Sequence, residues 1–214
     1  MLTIKVGLPL VFLAVLSVGL PFDFALVNWA YKNHTYNGSF IAGLLTNLGS
    51  PIILLALTVV FSSLLFSIRR KTLALFVVLN IVGVGILNEG IKQIVRRPPV
   101  ILVSVYQPAP KVFSKDLVIP SPKLSRIVYA FPSGHAAGSA AVFLALRMIM
   151  RRKRWWWILT YGGGLVVILI GLSRIYLGAH TLSDVLGGWA LAYAFFSFLW
   201  IIYQSKKMSN LGYK

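Results

Sequence analysis

Cysteine is absent from the sequence, and its absence excludes disulfide bonds, thiolate nucleophiles and cysteine-based metal sites. Acidic residues are scarce as well, because the 214 positions hold only four: Asp23, Glu89, Asp116 and Asp184. Magnesium, manganese and calcium sites are built from clustered carboxylates, and two-metal catalytic centres need several at once. We therefore expect no metal site and no cofactor.

Charge of either sign is also low. Charged residues make up 12% of the chain and hydrophobic residues 58%, whereas about 25% of a soluble domain is charged. A bilayer core needs about 20 apolar residues per helix, and the sequence holds six such stretches, near residues 4–22, 47–68, 72–95, 134–150, 155–173 and 184–203. No polar linker or repeat divides them. The predicted fold is all-α: one integral membrane bundle of six transmembrane helices over residues 1–214, with outer-face loops.

Basic residues give a net charge of +17, but they stand in short clusters between apolar runs rather than along one polar face. We expect anionic membrane lipids as partners, and neither nucleic acid nor an obligate protein partner. Lys and Arg accumulate in cytoplasmic loops, and six helices place the clusters at 69–71 and 151–154 on the same side as both termini. The prediction is a multi-pass protein of the cell membrane with cytoplasmic termini. A signal peptide is the alternative for residues 4–22, but that stretch is long for one.

The outer side then receives segments 23–46, 96–133 and 174–183. Seven of the ten prolines lie between Pro98 and Pro132, which predicts a loop there. This loop keeps six basic residues against one acidic residue, on the side where the positive-inside trend disfavours them. An anionic substrate is a reason to retain them.

Two of the three histidines stand where helices meet the outer face. His180 and Asp184 are four residues apart, which places them on one face of a helix. There the carboxylate can hold one imidazole nitrogen as N–H and leave the other free as a nucleophile. Arg174 offers a planar fork suited to phosphoryl oxygens. Taken singly, each feature also fits a surface polar contact or a snorkelling arginine, so their joint occurrence carries the prediction.

The other histidine belongs to the run Pro132-Ser133-Gly134-His135, directly before a long apolar stretch. Ser133 is predicted to cap the helix, with the N–H groups of Gly134 and His135 pointing outward. Helix starts of this kind receive phosphate well. His135 is then placed to donate a proton to a leaving oxygen.

These two runs resemble the type 2 phosphatidic acid phosphatase superfamily, whose pattern is Lys-x6-Arg-Pro, then Pro-Ser-Gly-His, then Ser-Arg-x5-His-x3-Asp. Residues 132–135 match the second motif and residues 173–184 match the third. The resemblance implies catalytic residues His180, His135 and Asp184, with His180 attacking phosphorus. It implies phosphate binding by the residues Lys92, Arg97, Ser133, Gly134 and Arg174. It requires no metal.

The first motif departs from this pattern. Lys92 is present, but the arginine position falls on Pro99, and the pair Arg97-Pro98 arrives two residues early. On a continued helix the two registers point about 160° apart, although the proline disfavours helix at the preceding residue. Three alternatives stay open: Arg97 replaces the missing arginine, Arg96 or Arg126 reaches the site, or the site works with one guanidinium fewer. Glu89 is expected to form a simple ion pair within the helix, with Lys92 or Arg96 as its partner.

The resemblance implies hydrolysis of a lipid phosphate or diphosphate at the outer membrane face, through a phosphohistidine intermediate. Candidate substrates are a polyprenyl diphosphate, phosphatidylglycerophosphate and phosphatidic acid, and the composition does not separate them. The alternative is a non-catalytic lipid-phosphate binding or regulatory membrane protein with a degenerate first motif. A transporter is disfavoured because polar residues cluster at one face rather than at mid-membrane. The proline-rich segment 99–131 is interpreted as a substrate lid.

Overall fold

The structure, a computed structural model, describes residues 20–98, 129–150 and 154–209. All regular secondary structure in these ranges is helical. The described part of α1 covers residues 20–32, and the helices that follow are α2 (Tyr36–Leu48), α3 (Pro51–Ser67), α4 (Lys71–Val95), α5 (Gly134–Met150), α6 (Trp156–Tyr176) and α7 (Leu182–Ser209).

Several of these helices have the length and composition of membrane spans. Within the described ranges, four helical segments are long and apolar enough to cross a bilayer: Tyr36–Ser67, Lys71–Val95, Trp156–Tyr176 and Leu182–Ser205. The α5 helix is apolar but shorter. The predicted all-α membrane bundle is confirmed. The stretch 4–22, the segment 99–128 and residues 151–153 fall almost entirely outside the described residues.

Residues 36–48 of the segment 23–46 form a helix that was not predicted, and the location of this segment on the outer side stays a prediction. Thr35 starts α2 by accepting a hydrogen bond from the N–H of Gly38 at 3.1 Å. The helix predicted near residues 47–68 is observed as α3, which begins at Pro51 because the helical path is interrupted between Leu48 and Pro51. Ser50 caps α3, and the proline occupies its first turn, where a missing N–H costs nothing.

The α5 helix lies at the centre of the bundle and packs against α3, α4, α6 and α7. Its buried face consists largely of alanine, at positions 136, 137, 140, 141 and 145. Within a membrane, small side chains let helix backbones approach closely. Asn80 of α4 adds a buried interhelical hydrogen bond of 2.9 Å from its side-chain amide to the carbonyl of Ala141. The central helix is therefore held by close packing and by a polar contact.

The ends of four helices meet at one end of the bundle. They are the last turns of α4 and α6 and the first turns of α5 and α7. The α4 helix stops at Val95 because Arg96 adopts a left-handed conformation with φ of 51°. The next residue, Arg97, is tied by its carbonyl to the N–H of Ala130, 2.9 Å away. The chain before α5 is thereby joined to the end of α4.

Candidate active site

The turn between α6 and α7 positions His180. Gly178 has a φ of 67°, in the left-handed region that glycine enters without steric cost. The carbonyl of Arg174 then accepts hydrogen bonds from the N–H groups of Ala179, at 3.0 Å, and of His180, at 3.2 Å. This turn holds the imidazole directly before α7, with the residue only 8% exposed.

Asp184 is fixed by the start of α7. Its N–H donates to the Thr181 hydroxyl at 3.3 Å, and the N–H of Thr181 donates to its Oδ2 at 3.0 Å, a reciprocal arrangement like a capping box. The same Oδ2 lies 3.5 Å from Nδ1 of His180, which is a contact distance for an ion pair, and Nδ1 makes no hydrogen bond within the described residues. Asp184 is fully buried. The carboxylate that starts the helix therefore also faces the imidazole.

The pKa of His180 is lowered from its ordinary value of 6.5, chiefly because burial removes water from the imidazole. Contact with Asp184 acts in the opposite direction, whereas the positive charges of Arg174 and Lys92 act together with burial. A ring that is neutral near pH 7 keeps one nitrogen lone pair available. This protonation state is the one that a nucleophilic imidazole requires.

The start of α5 is bound to the start of α7. The N–H of Ser133 donates to the carbonyl of Asp184 at 2.9 Å. Gly188 permits this approach, since a Cβ there would lie 2.6 Å from the Ser133 carbonyl oxygen. Ser133 precedes the first helical residue, Gly134, as predicted. Its hydroxyl, however, is buried and has no hydrogen-bond partner among the described residues, so the predicted capping bond is not observed there.

Three cationic or titratable groups surround His180. His135 is the second residue of α5. It lies within electrostatic range of Arg174, His180 and Lys92. Arg174 donates from Nη1 to the Thr46 hydroxyl at 3.0 Å. Lys92 is paired with Glu89 at 2.9 Å, so the expected pair within α4 is confirmed. The two predicted motifs and the lysine of the first motif therefore come together at one end of the bundle.

Comparison with known proteins assigns this arrangement to a family. The sequence model of the PAP2 superfamily matches residues 71–208, which contain all three motifs. The chain belongs to the PAP2 superfamily. Phosphatidylglycerophosphatase B of Bacillus subtilis (strain 168) is 27% identical over 157 residues, which cover 71% of this chain and 68% of that protein.

A solved crystal structure has the same fold. It is described as the first transmembrane PAP2-type phosphatidylglycerolphosphate phosphatase from Bacillus subtilis. The TM-score is 0.74 at 22% identity, and the match covers 95% of this chain and 97% of that one. At this identity the likeness bears on the fold alone, and the fold is the helical bundle described above.

Arg97, the arginine of the altered first motif, contacts the oxygen of Asp184 that does not face His180. Arg97 donates from Nη1 to Oδ1 of Asp184 at 3.0 Å and from Nη2 to Oδ2 of Asp23 at 2.9 Å. It also donates to the Ser183 hydroxyl. The structure thus brings Arg97 to the candidate site, where its contacts in the described part of the chain are with carboxylates and a hydroxyl. Phosphate binding by Arg97 stays a prediction.

Two residues of this region were not singled out from the sequence. Asp23 and Thr46 both precede the range matched by the PAP2 family model, and they contact Arg97 and Arg174 respectively. One signal existed for Asp23, because it is one of only four acidic residues in a very apolar chain. Thr46 carried no such signal.

Two of the buried polar atoms without partners are donors of the candidate site. Among the described residues, the Ser133 hydroxyl and Nε of Arg174 are buried and make no hydrogen bond. Buried polar groups are normally satisfied, and phosphoryl oxygens accept hydrogen bonds from both kinds of donor. The same part of the chain contains no group of three His, Asp or Glu side chains that could hold a metal ion. The donors at this end of the bundle therefore suit an oxyanion.

Proposed function

We propose that this PAP2 superfamily member hydrolyses a lipid phosphate or diphosphate at the outer face of the membrane, through a phosphohistidine formed on His180. The observation that carries the proposal is the convergence of His180, Asp184, His135, Arg174 and Lys92 at one end of the bundle. Membership of the PAP2 superfamily and the phosphatidylglycerophosphatase relative support a phosphatase that acts on lipids.

The chemistry follows from the placement of each group. The free nitrogen of His180 attacks phosphorus in line, so that an N–P bond forms while the P–O bond to the leaving group breaks. Asp184 stabilises the positive charge that develops on the ring. His135 gives its proton to the leaving oxygen and then takes one from water, which hydrolyses the phosphohistidine. The reaction is balanced without a metal or another cofactor.

Arg174, Lys92 and the first turn of α5 stabilise the negative charge on the phosphoryl oxygens. Arg174 has a buried Nε without a partner in the described residues, and Ser133 has a hydroxyl in the same condition. Gly134 leaves the helix start open, since a Cβ there would meet only the Asn88 amide, 3.4 Å away. Loss of one such contact costs about 10²–10³ in rate.

Phosphatidylglycerophosphate is the first substrate to test, because the relative from Bacillus subtilis is named for it. Polyprenyl diphosphates and phosphatidic acid complete the panel. The purified full chain is assayed for phosphate release from each lipid with a chelator present, beside a His180→Ala variant. We expect turnover of at least one lipid by the wild type, unchanged by the chelator, and a loss of at least about 10³-fold in the variant.

The second candidate is a lipid-phosphate binding protein without catalysis. It is favoured by the altered first motif, in which Arg97 contacts Asp184 and Asp23. The same panel separates the two. Binding of a lipid phosphate without release of phosphate would support this second function and reject the first. Turnover by His180→Ala at the wild-type rate would reject the phosphohistidine mechanism on His180.

A further inference from the structure

Arg97 joins two carboxylates from distant parts of the chain. Its Nη1 lies 3.0 Å from Oδ1 of Asp184, and its Nη2 lies 2.9 Å from Oδ2 of Asp23. The other oxygen of Asp184 faces the His180 imidazole at 3.5 Å. Asp23, Arg97, Asp184 and His180 therefore form an unbroken series of contacts, which we call the carboxylate relay.

Asp23 anchors the far end of this relay. It lies on α1, and its Oδ1 accepts a hydrogen bond of 2.8 Å from the N–H of Ser183. Its Oδ2 accepts from the Ser183 hydroxyl as well as from Arg97. Ser183 is the residue before Asp184 and is fully buried. Asp23 thus fixes both Arg97 and the first turn of α7.

The backbone explains why Arg97 points here. The α4 helix ends at Val95, and the left-handed conformation of Arg96 turns the chain. The carbonyl of Arg97 is then held by Ala130, two residues before Pro132. Arg97 and Pro98, the Arg-Pro pair that stands two residues earlier than the family pattern, therefore do not continue the α4 helix. The side chain of Arg97 is directed to the first turn of α7.

Within the carboxylate relay, Arg97 compensates the negative charges of Asp23 and Asp184. Asp184 is fully buried and the Asp23 side chain is only 10% exposed, so two carboxylates share a poorly hydrated region. An arginine between them offers a planar fork that donates to both, which lysine cannot do with the same geometry. Without this cation, two neighbouring negative charges would repel each other, and the Asp184 carboxylate would be held, in the described part of the chain, only at Oδ2, by the N–H of Thr181.

We propose that Arg97 and Asp23 are positioning residues for His180: Asp23 holds Arg97, Arg97 holds the Asp184 carboxylate, and Asp184 orients the imidazole for attack. The inference rests on the proposed function. It assigns Arg97 a role through Asp184 in place of direct contact with phosphate. It also makes α1 part of the active site, although Asp23 lies outside the residues that the PAP2 family model matches.

The kinetic test compares matched glutamine variants in the full chain. Arg97→Gln removes the relay cation, and Arg96→Gln removes the same charge one residue away, where among the described residues Nε donates to the carbonyl of Gln93 at the end of its own helix. We expect Arg97→Gln to lower kcat about 10–100-fold, because the variant loses a group that holds the partner of His180 in place. KM and the Kd for inorganic phosphate should stay within about twofold, and Arg96→Gln should match the wild type. Arg174→Gln, at a predicted phosphate ligand, should instead weaken phosphate binding at least about 10-fold.

Asp23→Asn tests the other end of the relay with an isosteric change. We expect the same pattern as for Arg97→Gln but with a smaller loss of kcat. Size-exclusion profiles and thermal unfolding restrict the comparison to folded protein. If Arg97→Gln does not fold, Asp23→Asn carries the same prediction by itself. A raised KM and a raised phosphate Kd for Arg97→Gln at unchanged kcat would overturn the proposal, and so would unchanged kinetics in both variants.

A spectroscopic readout separates this inference from the proposed function. The chain has only three histidines, so 15N-histidine labelling gives three imidazole rings, and His180→Ala assigns one of them. We expect the His180 ring to carry its proton on Nδ1 in the wild type, because that nitrogen faces Asp184. Arg97→Gln and Asp23→Asn should shift or mix its tautomers, and Arg96→Gln should not.

The two outcomes are independent. His180 signals that are the same in all three variants would reject the relay even if the wild type hydrolyses lipid phosphates. A wild type without turnover on the whole panel would reject the proposed function, while the ring signals still decide whether Arg97 and Asp23 position His180.

Discussion

At the scale of residues, the structure gathers the two complete motifs around His180. Residues 132–135 and 173–184 could be identified from the sequence because each motif is contiguous and lies at a helix end. The partners of the arginines could not, since Thr46 lies 128 positions from Arg174 and Asp23 lies 74 positions from Arg97. Such contacts depend on how helices pack, and no local pattern encodes that packing. The phosphate-binding roles of Lys92, Arg97, Ser133, Gly134 and Arg174 stay predictions.

The pH dependence of the reaction follows from the burial of His180. Its pKa lies below 6.5 in the folded protein, and attack requires the neutral ring, so activity should persist until the pH falls below 6.5 and the ring takes a proton. We expect the acidic limb of kcat/KM to have its midpoint below pH 6.5. The substrate's own ionisation is measured separately by phosphorus NMR and divided out. A midpoint at or above 6.5 after that correction would contradict the account.

Thr46 should matter through Arg174. Thr46→Val keeps the shape of the side chain but removes the hydroxyl that accepts from Nη1. A hydrogen bond to a charged group contributes about 1.5 kcal/mol or more, so we expect KM for the lipid phosphate to rise about 10-fold. Thr58→Val is the control, because that buried hydroxyl donates only to the Leu54 carbonyl within α3. An equal change of KM in both variants would show that Thr46 acts through helix stability.

At the scale of elements, the sequence predicted α4 to α7 within a few residues. The predicted ranges 72–95, 134–150, 155–173 and 184–203 compare with Lys71–Val95, Gly134–Met150, Trp156–Tyr176 and Leu182–Ser209. Long apolar runs between basic or proline-containing segments determine these helices. The α2 helix escaped prediction because 13 residues are too few for a span, and only its junction with α3 makes a segment of sufficient length.

The contact between α5 and α7 should be sensitive to any added side-chain atom. A Cβ at Gly188 would lie 2.6 Å from the Ser133 carbonyl and 3.0 Å from the Ala137 nitrogen, and both are backbone atoms that cannot rotate away. We expect Gly188→Ala to reduce the free energy of unfolding by about 1–3 kcal/mol and to lower kcat. Thermal unfolding in detergent and the lipid phosphatase assay measure the two effects.

Gly85→Ala on α4 is the matched control, because a Cβ there would meet no atom of the described residues within 4 Å. Alanine also favours a helix over glycine. The control should therefore unfold at the wild-type temperature or above it. A Gly188→Ala protein with wild-type stability and turnover would show that α5 and α7 can separate without loss of the site.

For the whole molecule, the proposed function requires the active-site end of the bundle to face the outer side of the membrane. The lack of native cysteine makes this testable without background. Asn37 is exposed near the active-site end, at the start of α2, and Arg70 is exposed at the opposite end, between α3 and α4. We expect a membrane-impermeant maleimide to label Asn37→Cys in intact cells and to label Arg70→Cys only after permeabilisation. The reverse pattern would place the site in the cytoplasm.

The same whole-molecule view explains why α1 belongs to the functional unit. The PAP2 family model begins at residue 71, yet Asp23 and Thr46 reach the site from earlier helices. A fragment that begins at residue 71 would therefore lack the partners of both Arg97 and Arg174. The single domain over 1–214, with its catalytic motifs within 88–184, stays a prediction.

Transfer of labelled phosphate from a lipid substrate to the protein tests whether a phosphohistidine forms on His180. The wild type and His180→Ala are mixed with 32P-labelled substrate, quenched within milliseconds and separated under alkaline denaturing conditions. The account predicts label on the wild-type chain, stable in alkali and lost in acid as for phosphohistidine, and none on His180→Ala. Label retained on His180→Ala, or phosphate release by that variant at the wild-type rate, would contradict it.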